Sequence, residues 1–263
     1  MKEPNTLTKN VAEWLNKTGF PLEMEAAAVF REAGFDVRQS ATFSDPQADK
    51  GREIDVLAQD PDWIGILDIS FVVECKSAQK PWVVFMSDDV LKHSNRLDAF
   101  GVKSGAARAV LAKRISMGIR RELPLLAAYI ERPHRGGYGF RQAMGGDNDQ
   151  AFGAAIAVLK ACHGVSQDGG EGKLPRLAFA FPIIVVDSPI FECERNQDGE
   201  LVLTEVQKSE FLFSAHIPSQ VGCCIRVVRR EYLADVARES KELADALRNN
   251  LARDESKILA DAL

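Results

Sequence analysis

Residues 51–58 read GREIDVLA and residues 71–78 read FVVECKSA, and how these two stretches face each other decides the fold. Side chains alternate along a strand, so Glu74 and Lys76 emerge on one face and Phe71, Val73 and Cys75 on the other. Asp55 lies 19 positions before Glu74, and a short antiparallel hairpin of that length sets its carboxylate across from Glu74. Two carboxylates and an ammonium then share one patch. Acids so placed repel and need a compensating cation. Lys76 supplies one, and a divalent metal supplies more, because Asp and Glu oxygens suit hard ions such as Mg²⁺.

Ahead of this pair, Leu22, Ala26, Val29, Phe30 and Ala33 recur at helical spacing and Gly34 follows as a stop, which predicts a helix of about three turns. Asp36 to Phe43, Arg52 to Ala58 and Ile66 to Lys76 then read as an antiparallel meander, parted by the turn formers of SDPQADKG and QDPDWIG. Further on, residues 147–163 open with N-cap candidates and carry Phe152, Ile156 and Leu159 on one side of a predicted helix. Leu177 to Val186 is apolar almost throughout, as in a central strand covered on both faces, with Pro182 as the discordant residue. Asn196 to Gly199 turns a hairpin, Cys223 to Val228 forms a last strand, and a C-terminal helix covers about 231–252. The Gly-dense stretch HRGGYGF with AMGGDND lacks a phosphate-loop pattern and reads as a surface loop.

The 263 residues, 46% apolar and 27% charged, suit one large folded domain and exclude a disordered chain or a mini-protein. The start, MKEPNTLTKNVAEW, lacks the apolar segment of a signal peptide, and no run of uncharged apolar residues is long enough to span a bilayer. Five cysteines without CxxC spacing read as reduced thiols. A cytoplasmic protein with no membrane partner is expected. The formal charge of −5 averages over faces, whereas Val102 to Arg141 holds nine Lys or Arg against Glu122 and Glu131, a local excess of seven (nine minus two). Positive charge beside paired carboxylates is what holding a polyanion there requires. Arg108, Lys113, Arg114, Arg120 and Arg121 in this interval are candidate DNA contacts, with Arg52 and Lys80 beside the motif. Scattered His93, His134, His163 and His216 argue against a zinc site. Trp82 reads as a packed aromatic before a base-stacking one.

At these residues the sequence resembles the PD-(D/E)XK nuclease superfamily, which has the restriction-endonuclease-like fold. The matching pieces are Asp55 in REID, the triplet Glu74-Cys75-Lys76, and a helix with an acidic residue before the meander. The resemblance covers residues 20 to 80 closely and the rest by the order of elements. It implies that Asp55, Glu74 and the backbone carbonyl of Cys75 bind Mg²⁺ or Mn²⁺ and that Lys76 is catalytic. It also favours Glu23, eleven residues before Gly34, over Glu25 as the helix acid, a choice that periodicity alone leaves open. The Pro of the family's name is absent, since Ile54 precedes Asp55.

The reading is thus a single α/β domain over residues 1–263, restriction-endonuclease-like, with a mixed central sheet flanked by helices. A basic insertion occupies about 84–145, and the helix at 147–163 is the one that crosses to the next core strand. The implied activity is metal-dependent hydrolysis of DNA phosphodiester bonds in restriction, phage defence or repair. The rivals are a catalytically inactive nuclease-fold module that binds nucleic acid or a protein, and a nuclease acting on RNA. A homodimer and a separate recognition partner both fit the sequence.

Overall fold

The computed structural model describes residues 6–45, 47–48, 50–117, 124–145, 150–167, 174–217 and 219–261. It is α/β, with one large mixed sheet of eleven strands flanked by helices.

After α1 (Thr6–Leu15), α2 (Phe20–Glu32) starts with Pro21 in its first turn and buries Leu22, Ala26, Ala27 and Phe30. Its stop is built by Gly34 at φ 95°. The Gly34 N–H donates to Arg31 O and the Phe35 N–H to Phe30 O, the paired bonds of a Schellman motif. The Phe30 and Phe35 rings close it at 5.6 Å.

The meander follows as β1 (Asp36–Asp45), β2 (Lys50–Gln59) and β3 (Leu67–Lys76), all antiparallel. The next elements are β4 (Trp82–Ser87), α3 (Arg96–Ala99), β5 (Val102–Lys103), α4 (Gly105–Ser116), α5 (Pro124–Glu131) and β6 (Gly136–Gln142). Helix α6 (Gln150–Val165) then crosses the sheet to β7 (Leu177–Val186), which runs parallel to β3 along its whole length. The helix at 147–163 is therefore the crossover, and its cap at 147–149 lies outside the described residues. Of the expected Phe152, Ile156, Leu159 stripe, Leu159 is buried and Ile156 packs partly buried against the core, but Phe152 does not. Phe152 is exposed and meets Phe213 edge-on at 5.9 Å, while Ala151, Ala154, Ala155, Val158, Leu159 and Cys162 lie against the sheet. Small residues let the helix approach closely, so an alanine stripe outcompetes the larger side chains.

The sheet continues through β8 (Ile190–Arg195), β9 (Leu201–Val206), β10 (Lys208–Ile217) and β11 (Ser219–Arg229) in the order β1-β2-β3-β7-β11-β10-β6-β4-β8-β9, with β5 on β7. β7 is buried in every residue. Pro182 is tolerated because β5 pairs with β7 at Phe179 and Ala180, whereas β11 begins at Ile183. The missing N–H falls in the gap between the two ladders.

The Gly-dense stretch is strand rather than loop at 136–142, a correction with a packing reason. A Cβ on Gly137 would stand 2.5 Å from Val84 Cγ1 and 2.6 Å from Glu210 O, so glycine lets neighbouring strands come together there. β10 meets β6 at a single parallel rung, Phe211↔Gly137. Trp82 is fully buried and stacks on Phe140 at 5.1 Å, so it cannot reach a base.

The last helix, α7 (Leu233–Ala260), runs eight residues beyond the expected end at 252. It packs on α2, α5 and β3 through Val236, Leu243, Leu247 and Leu251. Lys241 and Arg248 fasten it to buried Asp60 at 2.7 and 2.6 Å. Among the described residues, no helix is long and apolar enough to cross a membrane.

Candidate active site

The site forms where β2 and β3 part. The β1–β2 register pairs Gln39 with Val56 and Ala41 with Ile54, and omits Ser40 and Asp55 between them. Ser40 takes a left-handed φ of 52°, a kink opposite Asp55. On the other side the β2–β3 ladder ends at Val56↔Val73. Asp55 is therefore released from its neighbours on both sides, and its carboxylate replaces the next rung: the Cys75 N–H donates to Asp55 Oδ2 at 2.8 Å.

One residue on, Lys76 Nζ donates to Glu74 Oε1 at 2.5 Å, with side chains 31% and 14% exposed. Burial, then the Asp55 charge, raises the Glu74 carboxyl above the ordinary range, against the pull of Lys76. Burial likewise raises Asp55, opposed by the Cys75 N–H and Lys76 and assisted by Glu53. For Lys76, burial acts downward but is outweighed by Glu74 and then Asp55, so its pKa is raised and it stays an ammonium. The Cys75 thiol is pushed well up by burial and the surrounding acids, which makes it inert packing.

Glu23, in the first turn of α2, joins the group. Its carboxyl is raised by burial, then by Asp55 and Glu53, and lowered by Lys76. Glu25 instead ion-pairs with Arg230. The fold thus separates the two glutamates that helical periodicity could not.

Three carboxylates and one ammonium leave the cluster of Glu23, Asp55, Glu74 and Lys76 at a formal −2 (minus three plus one). Oxygen donors carrying excess negative charge fit a hard divalent cation. Among the described residues, no three His, Cys, Asp or Glu side chains are gathered as a ready metal cage. Lys76 and the Cys75 N–H each hold one oxygen of Glu74 and Asp55, and the second oxygens accept no hydrogen bond among the described residues.

The chain matches no protein-family model, no curated protein and no solved structure.

Several of the candidate nucleic-acid contacts have partners within the fold. Arg52 is bound to buried Asp45, which also holds Lys160 at 3.2 Å. Lys80 donates to Met144 O at 2.6 Å. Arg108 pairs with Asp98 at 3.0 Å and Arg114 with Asp254 of α7 at 2.7 Å. Lys113 is exposed on α4, and Arg120 and Arg121 lie outside the described residues. Arg132 and Arg135 are likewise committed, to Glu210 and Glu194. Much of the positive excess is thus matched by acids from distant segments.

Two residues escaped the sequence reading. Glu53 stands two positions before Asp55, a spacing that period-2 alternation could have exposed. Asp187, just past β7, accepts from Ser77 Oγ at 2.5 Å and from the Ala78 N–H at 2.8 Å, and so fixes the chain directly after Lys76. No local motif marks it.

Proposed function

We propose that the chain is a metal-dependent nuclease that hydrolyses DNA phosphodiester bonds, built on a restriction-endonuclease-like core of α2, β1, β2, β3, α6 and β7. One observation carries this reading: where the β2–β3 ladder ends, the Cys75 N–H donates to Asp55 at 2.8 Å and Lys76 Nζ donates to Glu74 at 2.5 Å, with Glu23 of α2 close enough for its carboxyl to be raised by Asp55. A partly buried cluster with two more carboxylates than ammoniums is costly, and functional sites are where that expense is found.

Asp55, Glu74 and the Cys75 carbonyl would hold Mg²⁺ or Mn²⁺, which supplies Lewis-acid polarisation of the scissile phosphate. Lys76, held as an ammonium, is suited to stabilise charge growing on the phosphoryl oxygens and unsuited to accept a proton. Glu23, whose carboxyl is raised, is placed to orient the attacking water and take its proton. Water oxygen bonds to phosphorus as its proton passes to Glu23, the bond to the 3′ oxygen breaks, and that oxygen takes a proton from solvent water to leave as a 3′-hydroxyl, so the product carries a 5′-phosphate.

The test is digestion of supercoiled plasmid with Mg²⁺ or Mn²⁺, beside EDTA and Lys76→Ala, with single-stranded DNA and RNA as parallel substrates. Cleavage of duplex DNA that both controls abolish supports the proposal. Metal-dependent cleavage of RNA alone would replace DNA as the substrate. An inert but folded protein would favour a non-catalytic binding module, for which the direct Lys76–Glu74 pair already speaks.

A further inference from the structure

The two ends of the sheet are built differently. β1 exposes Asp36, Arg38, Gln39 and Ser40 and is kinked at Ser40; charge and irregularity keep a strand edge from pairing. β9, at the opposite end, is LVLTEV. It is exposed through its first five residues, with Leu201 70% and Leu203 61% exposed.

The pairing of β9 with β8 shows which of its backbone groups are unused. The Asn196 N–H donates to Glu200 O at 2.9 Å, and the register from Arg195↔Leu201 to Ile190↔Val206 continues from that pair. Antiparallel pairs alternate, so Val202, Thr204 and Val206 bond to β8, while Leu201, Leu203 and Glu205 turn their N–H and C=O groups outward.

We propose that β9 pairs antiparallel with β9 of a second copy of this chain, about a two-fold axis at Val202. About that axis Leu201-Val202-Leu203 sets leucine against leucine in both copies, so the patch is complementary to itself, as in an isologous contact. With the axis at Val202, Leu201 stands opposite Leu203 of the partner subunit, and each such pair exchanges two backbone hydrogen bonds. The leucines of both copies share one face, and Glu200 stands opposite Thr204 of the partner subunit, whose hydroxyl donates to a carboxylate. An axis at Leu203 would instead set Glu205, paired with Arg229 at 2.7 Å, against Leu201 and bring charge into the apolar patch. A single strand pair covers less than the roughly 1,200–2,000 Å² of a stable interface, so assembly depends on concentration.

Sedimentation velocity of the full chain from about 1 to about 200 µM should show the mass rise from 28.9 kDa toward twice that value. Leu203→Pro removes an outward N–H and no bond to β8, so the variant should keep the wild-type circular dichroism and stay monomeric. Val202→Cys should form an intermolecular disulfide on oxidation, since facing residues of a non-hydrogen-bonded pair stand close enough. Thr204→Cys should not, because it faces Glu200. The native cysteines are unpaired and, Cys224 apart, buried. A wild-type chain that stays monomeric throughout, a Leu203→Pro variant that dimerises like wild type, or equal cross-linking of the two cysteine variants would overturn the proposal.

Discussion

The backbone N–H of Cys75 donates to the carboxylate of Asp55 at 2.8 Å, in the position where the adjoining strand would otherwise present a carbonyl. Asp55 is thus a structural acceptor and a candidate metal ligand at once. Its two roles separate by substitution.

Asp55→Ala leaves a buried N–H without a partner and should lower unfolding free energy by about 1–3 kcal/mol. Asp55→Asn keeps an oxygen acceptor and should recover most of that loss in urea titrations at unchanged m-value. Both variants should lose cleavage. Restored cleavage in Asp55→Asn would reduce Asp55 to its structural role.

The raised carboxyls make the site sensitive to pH and cations. A carboxyl whose folded pKa lies above its unfolded value, near 4, contributes stability below that value and loses it as pH rises through the folded pKa. Glu23, Asp55 and Glu74 all shift this way, so they oppose folding at neutral pH and a bound cation should relieve them. Mn²⁺ at about 100 times its Kd should add about 2.7 kcal/mol near neutral pH and much less near pH 4, read by calorimetry. An equal shift in the Asp55→Asn, Glu74→Gln double variant would show that the ion binds elsewhere.

Asp45 shifts the opposite way. The Gln47 N–H, then Arg52 and Lys160, working against burial, hold its carboxyl down to about 2. Its contribution should be complete above about pH 4 and vanish between about pH 4 and pH 2. Asp45→Ala strands buried Lys160 and should cost about 3 kcal/mol at pH 7. Arg52→Ala, which removes a half-exposed partner, should cost about 1 kcal/mol or less. Denaturation at pH 7 and pH 2 checks both magnitudes and the closing of the gap in acid.

Gly137→Ala should destabilise by about 2 kcal/mol through overpacking, because its Cβ would fall on Val84 and the Glu210 carbonyl. Gly139→Ala meets only the Phe85 side chain, Cδ2 at 3.3 Å and Cβ at 3.9 Å, and should be milder. The difference between their thermal midpoints is the measurement, and equal effects would mean that β4, β6 and β10 are less tightly apposed than described.

What the sequence made legible was whatever depends on local periodicity. β1, β2, β3 and β7 announce themselves by alternation or continuous apolarity, and Asp55, Glu74 and Lys76 follow from strand parity and one hairpin. Glu23 needed a family resemblance to be preferred over Glu25, and Arg230 supplies the physical distinction by taking Glu25. The rest depended on distant partners. Arg114 finds Asp254, 140 residues away, and Arg132 finds Glu210, 78 away; nothing in the run of basic residues reveals that these two charges are already matched. Residues 136–142 misread because glycine signals a loop locally, while its value here is the space it leaves for neighbouring strands.

The single rung between Phe211 and Gly137 has a mechanical consequence. There Phe140 stacks on Phe211 at 4.9 Å beside one backbone rung, whereas β3 and β7 are laced together over ten residues. The sheet therefore carries a crease. Thermal bending should concentrate along that line, so the outer leaf of β6, β4, β8 and β9 can flex as a flap while the acidic cluster on the inner leaf keeps its shape.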